Sequence, residues 1–220
     1  MRMRKKKNGA QRLEAQAHYL ITKPDSPISS PLAIFGREGE MHLEIGCGKG
    51  GFACGMAAAH PSVNFIAFEK VPDVMVIATE RAAATQEERT EDNLRFAIGD
   101  AATLTEWFAP RSLDTIYLNF SDPWPKARHA KRRLTHRNLL SLYFSLLRDG
   151  GTLRFKTDNR PLFDFTLEEL GAMGIQPDYI TYDLHHSPYN EGNIRTEYEE
   201  TFSQKGFSIN ALCITVKHVQ

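Results

Sequence analysis

The chain has three cysteines, Cys47, Cys54 and Cys213, in 220 residues. An odd count with no CxxC pair argues against a disulfide framework and against a cysteine-rich zinc site. No run approaches the roughly 18 apolar residues of a membrane span. The opening "MRMRKKKNGAQR" has charges but no apolar stretch behind them, so it is not read as a secretory signal. Internal repeats and low-complexity tracts are also missing. The expectation is a cytoplasmic protein with no membrane association, whose state as monomer or homodimer stays open.

Neither sign of charge is in excess: 27 Lys and Arg balance 27 Asp and Glu. The balance hides an uneven distribution. Residues 1–12 carry six Lys or Arg and no acid, and residues 126–137 carry six more, again with no acid. Residues 158–200 carry ten Asp or Glu against two Arg. Basic blocks of this kind hold a polyanion while the whole chain stays neutral, or else form a solvated surface.

A Pro- and Ser-rich stretch, "TKPDSPISSPLAIFG" (22–36), separates the basic opening from the first clear strand. We therefore divide the chain into a basic arm with an irregular segment, 1–40, and a folded domain, 41–220. Short apolar strands are expected at 41–46, 64–69, 93–100, 113–120 and 152–157, with two late ones in "DYITYDL" and "SINALCITV". Helices are expected in "FACGMAAAH", from Pro72 onward, in "RNLLSLYFSLLRDGG" up to Gly150 and Gly151, and in "PLFDFTLEELGAMG". This alternation predicts an α/β fold. It is Rossmann-like and doubly wound, with a mostly parallel seven-stranded sheet and an antiparallel C-terminal strand.

"EIGCGKGGF" matches G-x-G-x-x-G at Gly46, Gly48 and Gly51, after a strand and before a helix. Gly46 and Gly48 are assigned to a bound cofactor, which the glycine backbone can approach closely. Glu69 ends the second strand, where two carboxylate oxygens suit a pair of ribose hydroxyls. A nicotinamide dinucleotide and S-adenosylmethionine both fit the glycine pattern. Glu44, inside the strand, opposes a pyrophosphate but suits sulfonium and ammonium groups. Asp100 is placed to accept a hydrogen bond from an adenine amine, or to cap a helix. The fourth strand runs into "NFSDPWPKARHAKRR" (119–133), a rigid polar–aromatic loop that continues as a cationic stripe.

"HLEIGCGKGGF", "NFSDPWPKARHAKRRL", "FKTDN" and "EGNIRTEYEE" together resemble the bacterial tRNA (guanine-N7-)-methyltransferase family, over about residues 41–207. The resemblance implies a class I methyltransferase fold. It implies S-adenosyl-L-methionine as methyl donor and a guanine in the variable loop of tRNA as acceptor. It also implies donor contacts from Glu44, Glu69, Asp100 and Asp122, and substrate contacts from Lys126, Asp158, Thr196, Glu197, Tyr198 and Glu199. RNA contacts are implied across Arg128, His129, Ala130, Lys131, Arg132 and Arg133.

The chemistry is consistent with that reading. Guanine N7 has a lone pair and no proton, so its attack needs no general base. The product ring is cationic, and Asp122 is the carboxylate expected to stabilise it. Asp158 and Glu197 are expected to accept the N1–H and N2–H₂ groups of guanine, a donor pair that adenine lacks. Trp124 either stacks or packs. "LHHS" (184–187) lacks metal-ligand spacing, so no metal is expected. Cys47 is read as a packing residue. Three rivals remain: a nicotinamide-dependent oxidoreductase, a catalytically inert RNA-binding module, and a small-molecule methyltransferase.

Overall fold

Strands buried on both faces need apolar side chains at consecutive positions, not alternate ones. Met41–Ile45 (β2) and Asn64–Glu69 (β3) meet that need: every residue but Glu69 is buried. The same holds for most of Leu94–Ile98 (β4) and Leu113–Asn119 (β5). In the computed structural model, which describes residues 6–218, these four strands form the middle of one eight-stranded sheet. Its order is β1-β4-β3-β2-β5-β6-β8-β7, where β1 is Leu20–Ile21, β6 Leu147–Thr157, β7 Tyr179–Thr181 and β8 Asn210–Thr215. β8 runs antiparallel to both of its neighbours, and the other pairings are parallel.

The eighth strand is β1. Leu20 and Ile21 pair with Phe96 and Ala97 on β4, and Ile28 bridges Phe108. Tyr19 and Ile28 are buried, so part of the segment before residue 41 is built into the sheet, and a single helical turn, Leu32–Phe35 (α2), follows. Two residues are too few to show an alternating pattern, and β1 left no sequence signal. Its helix, Gly9–Glu14 (α1), rests on Pro72–Ala84 (α4) through a two-pronged pair between Arg12 and Glu80 at 2.7 Å. Four of the six cations of residues 1–12 precede residue 7, and Arg2, Arg4 and Lys5 lie outside the described residues.

Alternate residues of each strand feed two core layers. Phe65, Ala67, Leu94 and Phe96 face Gly51–Ala59 (α3) and α4. Ile66, Phe68, Leu118 and Phe155 face Arg137–Leu146 (α5) and Arg160–Ala172 (α6). Sequence placed a helix stop at Gly150 and Gly151, but α5 ends at Leu146 and β6 begins at once. Leu147 already pairs with Leu113, and the register slips between Leu113 and Thr115. The two glycines therefore lie in an irregularity within the strand.

The chain leaves β2 toward β3 on one side and returns to β5 on the other. The crevice at such a reversal, above the carboxyl ends of the strands, is where a doubly wound sheet binds ligands. The glycine turn after β2 and the loop after β5 flank it.

Candidate active site

β2 carries Glu44 into the crevice wall at 2% exposure. One oxygen accepts a hydrogen bond from Asn119 Nδ2 at 2.9 Å, while Oε2 has no partner among the described residues. Burial pushes the carboxyl up to about 7, against the pull of Asn119 and Lys156. A buried polar atom without a partner carries a desolvation cost. Here it lies in the wall of a cavity of about 400 Å³, lined by Gly46, Gly48, Phe120, Thr196 and Tyr198 among others. A cationic ammonium is the group that would remove that cost.

Above Glu44 the chain turns through Gly48, whose φ of 56° favours glycine and over which a Cβ would meet nothing within 4 Å. That open backbone leaves room for a ligand to approach it closely. Glu69 fixes the turn: one oxygen accepts from Gly48 N at 3.1 Å, the other from Val71 N at 2.9 Å. Each oxygen keeps a second lone pair for a ribose hydroxyl. Asp100 is similarly engaged, accepting from Ala102 N at 3.0 Å and from Lys70 Nζ at 2.6 Å. These contacts, the backbone amide first, hold its carboxyl below the usual range. The helix-cap reading of Asp100 is thus realised in a 3₁₀ turn, Ala101–Glu106. The Cys47 thiol is buried and pushed well up, so it is no nucleophile.

The loop after β5 is strained. Phe120 has φ 51° and Trp124 φ 40°, where bulky side chains are rare, at about 1–3 kcal/mol each. Phe120 N donates to Lys156 O at 2.9 Å, and Arg133 restrains the Trp124 end: it donates to the carbonyls of Pro123 at 3.0 Å and Trp124 at 3.1 Å and lies on the Phe165 ring. Sequence placed Arg133 among the RNA contacts, but the structure turns it inward because two adjacent carbonyls need a forked donor. Arg132 covers Trp124, which packs edge-on with His129. Lys126, Arg128 and Lys131 are exposed on or beside a 3₁₀ turn, Ala127–Arg132, which also carries Ala130. The loop presents Asp122 outward.

Across the crevice, Thr196 caps Glu197–Ser203 (α7) in a reciprocal capping box with Glu199. Tyr198 brings the two halves together. Its phenol is pushed up by partial burial and then by the negative charges of Asp158 and Asp122. Burial also raises Asp158. Glu197 lines the cavity and pairs with Arg81 of α4. That guanidinium lies where a Cβ on Gly51 would sit, 2.6 Å from its Nη1, so the third glycine makes room for Arg81.

Glu199 departs from the expected substrate contact. It has no exposed surface. Its oxygens accept from Lys156 Nζ at 2.6 Å, Asn193 Nδ2 at 2.9 Å and Thr196 N at 3.3 Å, and one lies 2.8 Å from His185 Nε2. Lys156 also donates to Asn193 Oδ1 and to Ile194 O, each at 2.9 Å. The pair ties the 193–199 segment to the end of β6. Asn119, Lys156 and Arg81 were missed in the sequence. The available signal for Lys156 was a buried-strand pattern that places a lysine next to Phe155 at the carboxyl end of the strand. His185 belongs to the Glu199 network, and among the described residues no group of three or more His, Cys, Asp or Glu could hold a metal.

Residues 38–212 match a family model described as a putative methyltransferase. A tRNA (guanine-N(7)-)-methyltransferase of Lachnoclostridium phytofermentans is 46% identical over 93% of this chain and 94% of its own. A protein of the same name from Lactococcus lactis subsp. cremoris is 42% identical over 94% of each. Among solved structures, an antibiotic-related methyltransferase superposes with TM-score 0.62 at 17% identity, over 84% of this chain and 92% of that one. The 16S rRNA methyltransferase KamB gives 0.61 at 14%, over 81% and 88%. At such identities the two structures speak for the fold.

Proposed function

The chain belongs to the tRNA (guanine-N(7)-)-methyltransferase family, and from this we propose that it methylates N7 of a guanine in the variable loop of tRNA. The observation that carries the reading is the unpartnered, buried Glu44 Oε2 at the base of the crevice. An anionic group there repels a pyrophosphate and attracts an ammonium, which favours S-adenosyl-L-methionine over a nicotinamide dinucleotide. When bound, that donor supplies an electrophilic methyl group on a sulfonium. Glu44 would hold its ammonium, Glu69 its ribose, the Gly46–Gly48 backbone its close approach and Asp100 its adenine end.

The remaining steps belong to the chain. Asp158 and Glu197 accept guanine N–H groups and so select guanine. Lys126 binds on the substrate side, and Tyr198 flanks the base. Asp122 stabilises the positive charge that develops on the ring as N7 is alkylated. No residue has to remove a proton from N7, so the remaining catalysis is positional. Glu199 acts from beneath, by holding Thr196, Glu197 and Tyr198 in place through Lys156. Arg128, Lys131 and Arg132 clamp phosphates, and the target base leaves its stack to enter. The same reading puts the enzyme in the cytoplasm with its tRNA. Among the described residues no helix is long and apolar enough to cross a membrane.

Incubation with labelled S-adenosyl-L-methionine and bulk tRNA tests the proposal. The label should appear as 7-methylguanosine at a variable-loop position. Label in another nucleoside, or none in tRNA, overturns it.

A further inference from the structure

Four aromatic rings form a row that starts in the crevice and runs outward. Phe120 and Tyr198 line the cavity, with ring centres 5.2 Å apart. Tyr198 stacks on Phe202 at 4.2 Å and 16°, and Phe202 meets Phe207 at 5.5 Å. Lys205 Nζ stands 5.1 Å from the Phe202 ring centre. The outer end, Phe207, is 52% exposed, and Tyr198 at the cavity is 46% exposed.

Helix geometry accounts for part of this. Tyr198 and Phe202 are four apart on α7, which puts them side by side on one face of the helix. Phe207 N donates to Phe202 O and Gly206 N to Ser203 O, with Gly206 at φ 81°. That is a Schellman cap, which brings its flanking apolar residues together. The cap explains why Phe207 touches Phe202. It does not explain why half of Phe207 stays in water, where a smaller apolar residue would make the same cap. Nor is this end of the molecule hostile to RNA. Each carboxylate of α7 has a basic partner: Glu197 with Arg81, Glu199 with Lys156 and Glu200 with Arg195.

Resting on the methyltransferase reading, we propose that this row is a stacking platform for an unpaired nucleobase next to the target guanosine, with Phe207 as its outer rung and Lys205 beside the adjoining phosphate. Single-stranded RNA is recognised by bases stacked on aromatic rings. A base that flips into the crevice leaves its neighbour without a stacking partner, and the row continues from the place where the target base enters.

The test crosses a protein change with an RNA change. tRNA is prepared intact or with the base removed from the nucleotide on either side of the target guanosine. Binding and methylation are measured with wild-type protein, Phe207→Ala and Phe207→Leu. One abasic tRNA should bind wild type about 5- to 150-fold more weakly, the contribution of one base–aromatic stack. Phe207→Ala should lose a similar factor on intact tRNA and nothing further on that abasic tRNA, with donor affinity unchanged. Phe207→Leu keeps the apolar cap contact, and therefore the melting temperature, but should still lose the factor. Additive losses, or a leucine variant that binds intact tRNA as wild type does, overturn the platform. Binding is read separately from chemistry. Wild type that binds tRNA without methylating it overturns the functional reading and leaves the coupling measurement valid.

Discussion

Glu44 sets up a conflict between stability and binding. Burial raises its carboxyl from the ordinary 4.5 to about 7. Between those values the folded protein holds a proton that the unfolded chain has released, so stability falls as pH rises through the window. At about 1.4 kcal/mol per pH unit the loss is about 3 kcal/mol. Binding runs the other way, because an ammonium needs the carboxylate. Donor affinity should therefore fall up to tenfold per unit as pH drops below 7. Glu44→Gln should remove that dependence, bind the donor weakly throughout, and unfold at higher urea than wild type at pH 8. Calorimetric titration from pH 5.5 to 8.5 checks it, and a flat wild-type profile defeats the assignment. Asp122 differs, being exposed and held by no hydrogen bond among the described residues. Asp122→Ala should cost little stability and should slow methyl transfer more than it weakens tRNA binding. Single-turnover rates equal to wild type would remove it from the chemistry.

The elements that carry the site are held by residues that do not face it. The loop after β5 is held at the positive φ of Trp124 by Arg133, and at that of Phe120 by the hydrogen bond from its N–H to Lys156 O. Arg133→Ala frees both carbonyls and lets the loop relax, moving Asp122. A displacement of about 1 Å near reacting groups costs on the order of 100-fold. The single-turnover rate should fall by about 10- to 100-fold while the salt dependence of tRNA binding stays as it was. A changed salt slope with a normal rate would return Arg133 to the phosphate clamp. This division explains what the sequence made legible. The glycine turn, Glu44, Glu69 and the strand–helix alternation were readable because local rules determine them: periodicity, glycine spacing and the carboxyl ends of strands. The inward turn of Arg133 and the burial of Glu199 were not. A run of basic residues gives no sign of which member meets carbonyls, and a glutamate in a capping box looks exposed until Lys156, 43 residues away, is brought beneath it. β1 was missed because pairing with β4, not its own composition, makes it a strand.

At the scale of the molecule, a chain of zero net charge has to hold a polyanion, so what counts is which cations remain free. Of the six in residues 126–137, Arg133 is bound to backbone carbonyls and Arg137 to Glu169. Lys126, Arg128, Lys131 and Arg132 make no ion pair with any described residue. The acidic segment from 158 onward does not neutralise them. Six of its ten carboxylates pair with Arg160, Arg137, His186, Arg81, Lys156 and Arg195 instead, and Asp158, Glu168, Asp178 and Glu191 make no ion pair with any described residue. Phosphate contacts release counterions and give a slope of log affinity on log salt of about −0.7 each for single strands and −0.9 for B-form DNA. Replacing Arg128, Lys131 and Arg132 together with Ala should flatten the slope for tRNA by about 1–3. It should weaken different tRNAs alike, since phosphates carry no sequence. Donor affinity should hold, because the glycine turn lies on the other side of the crevice. The melting temperature should hold too, apart from the small loss of Arg132 over Trp124. If the stripe were only a solvated face, the slope would not move, and filter binding at four salt concentrations separates the two outcomes.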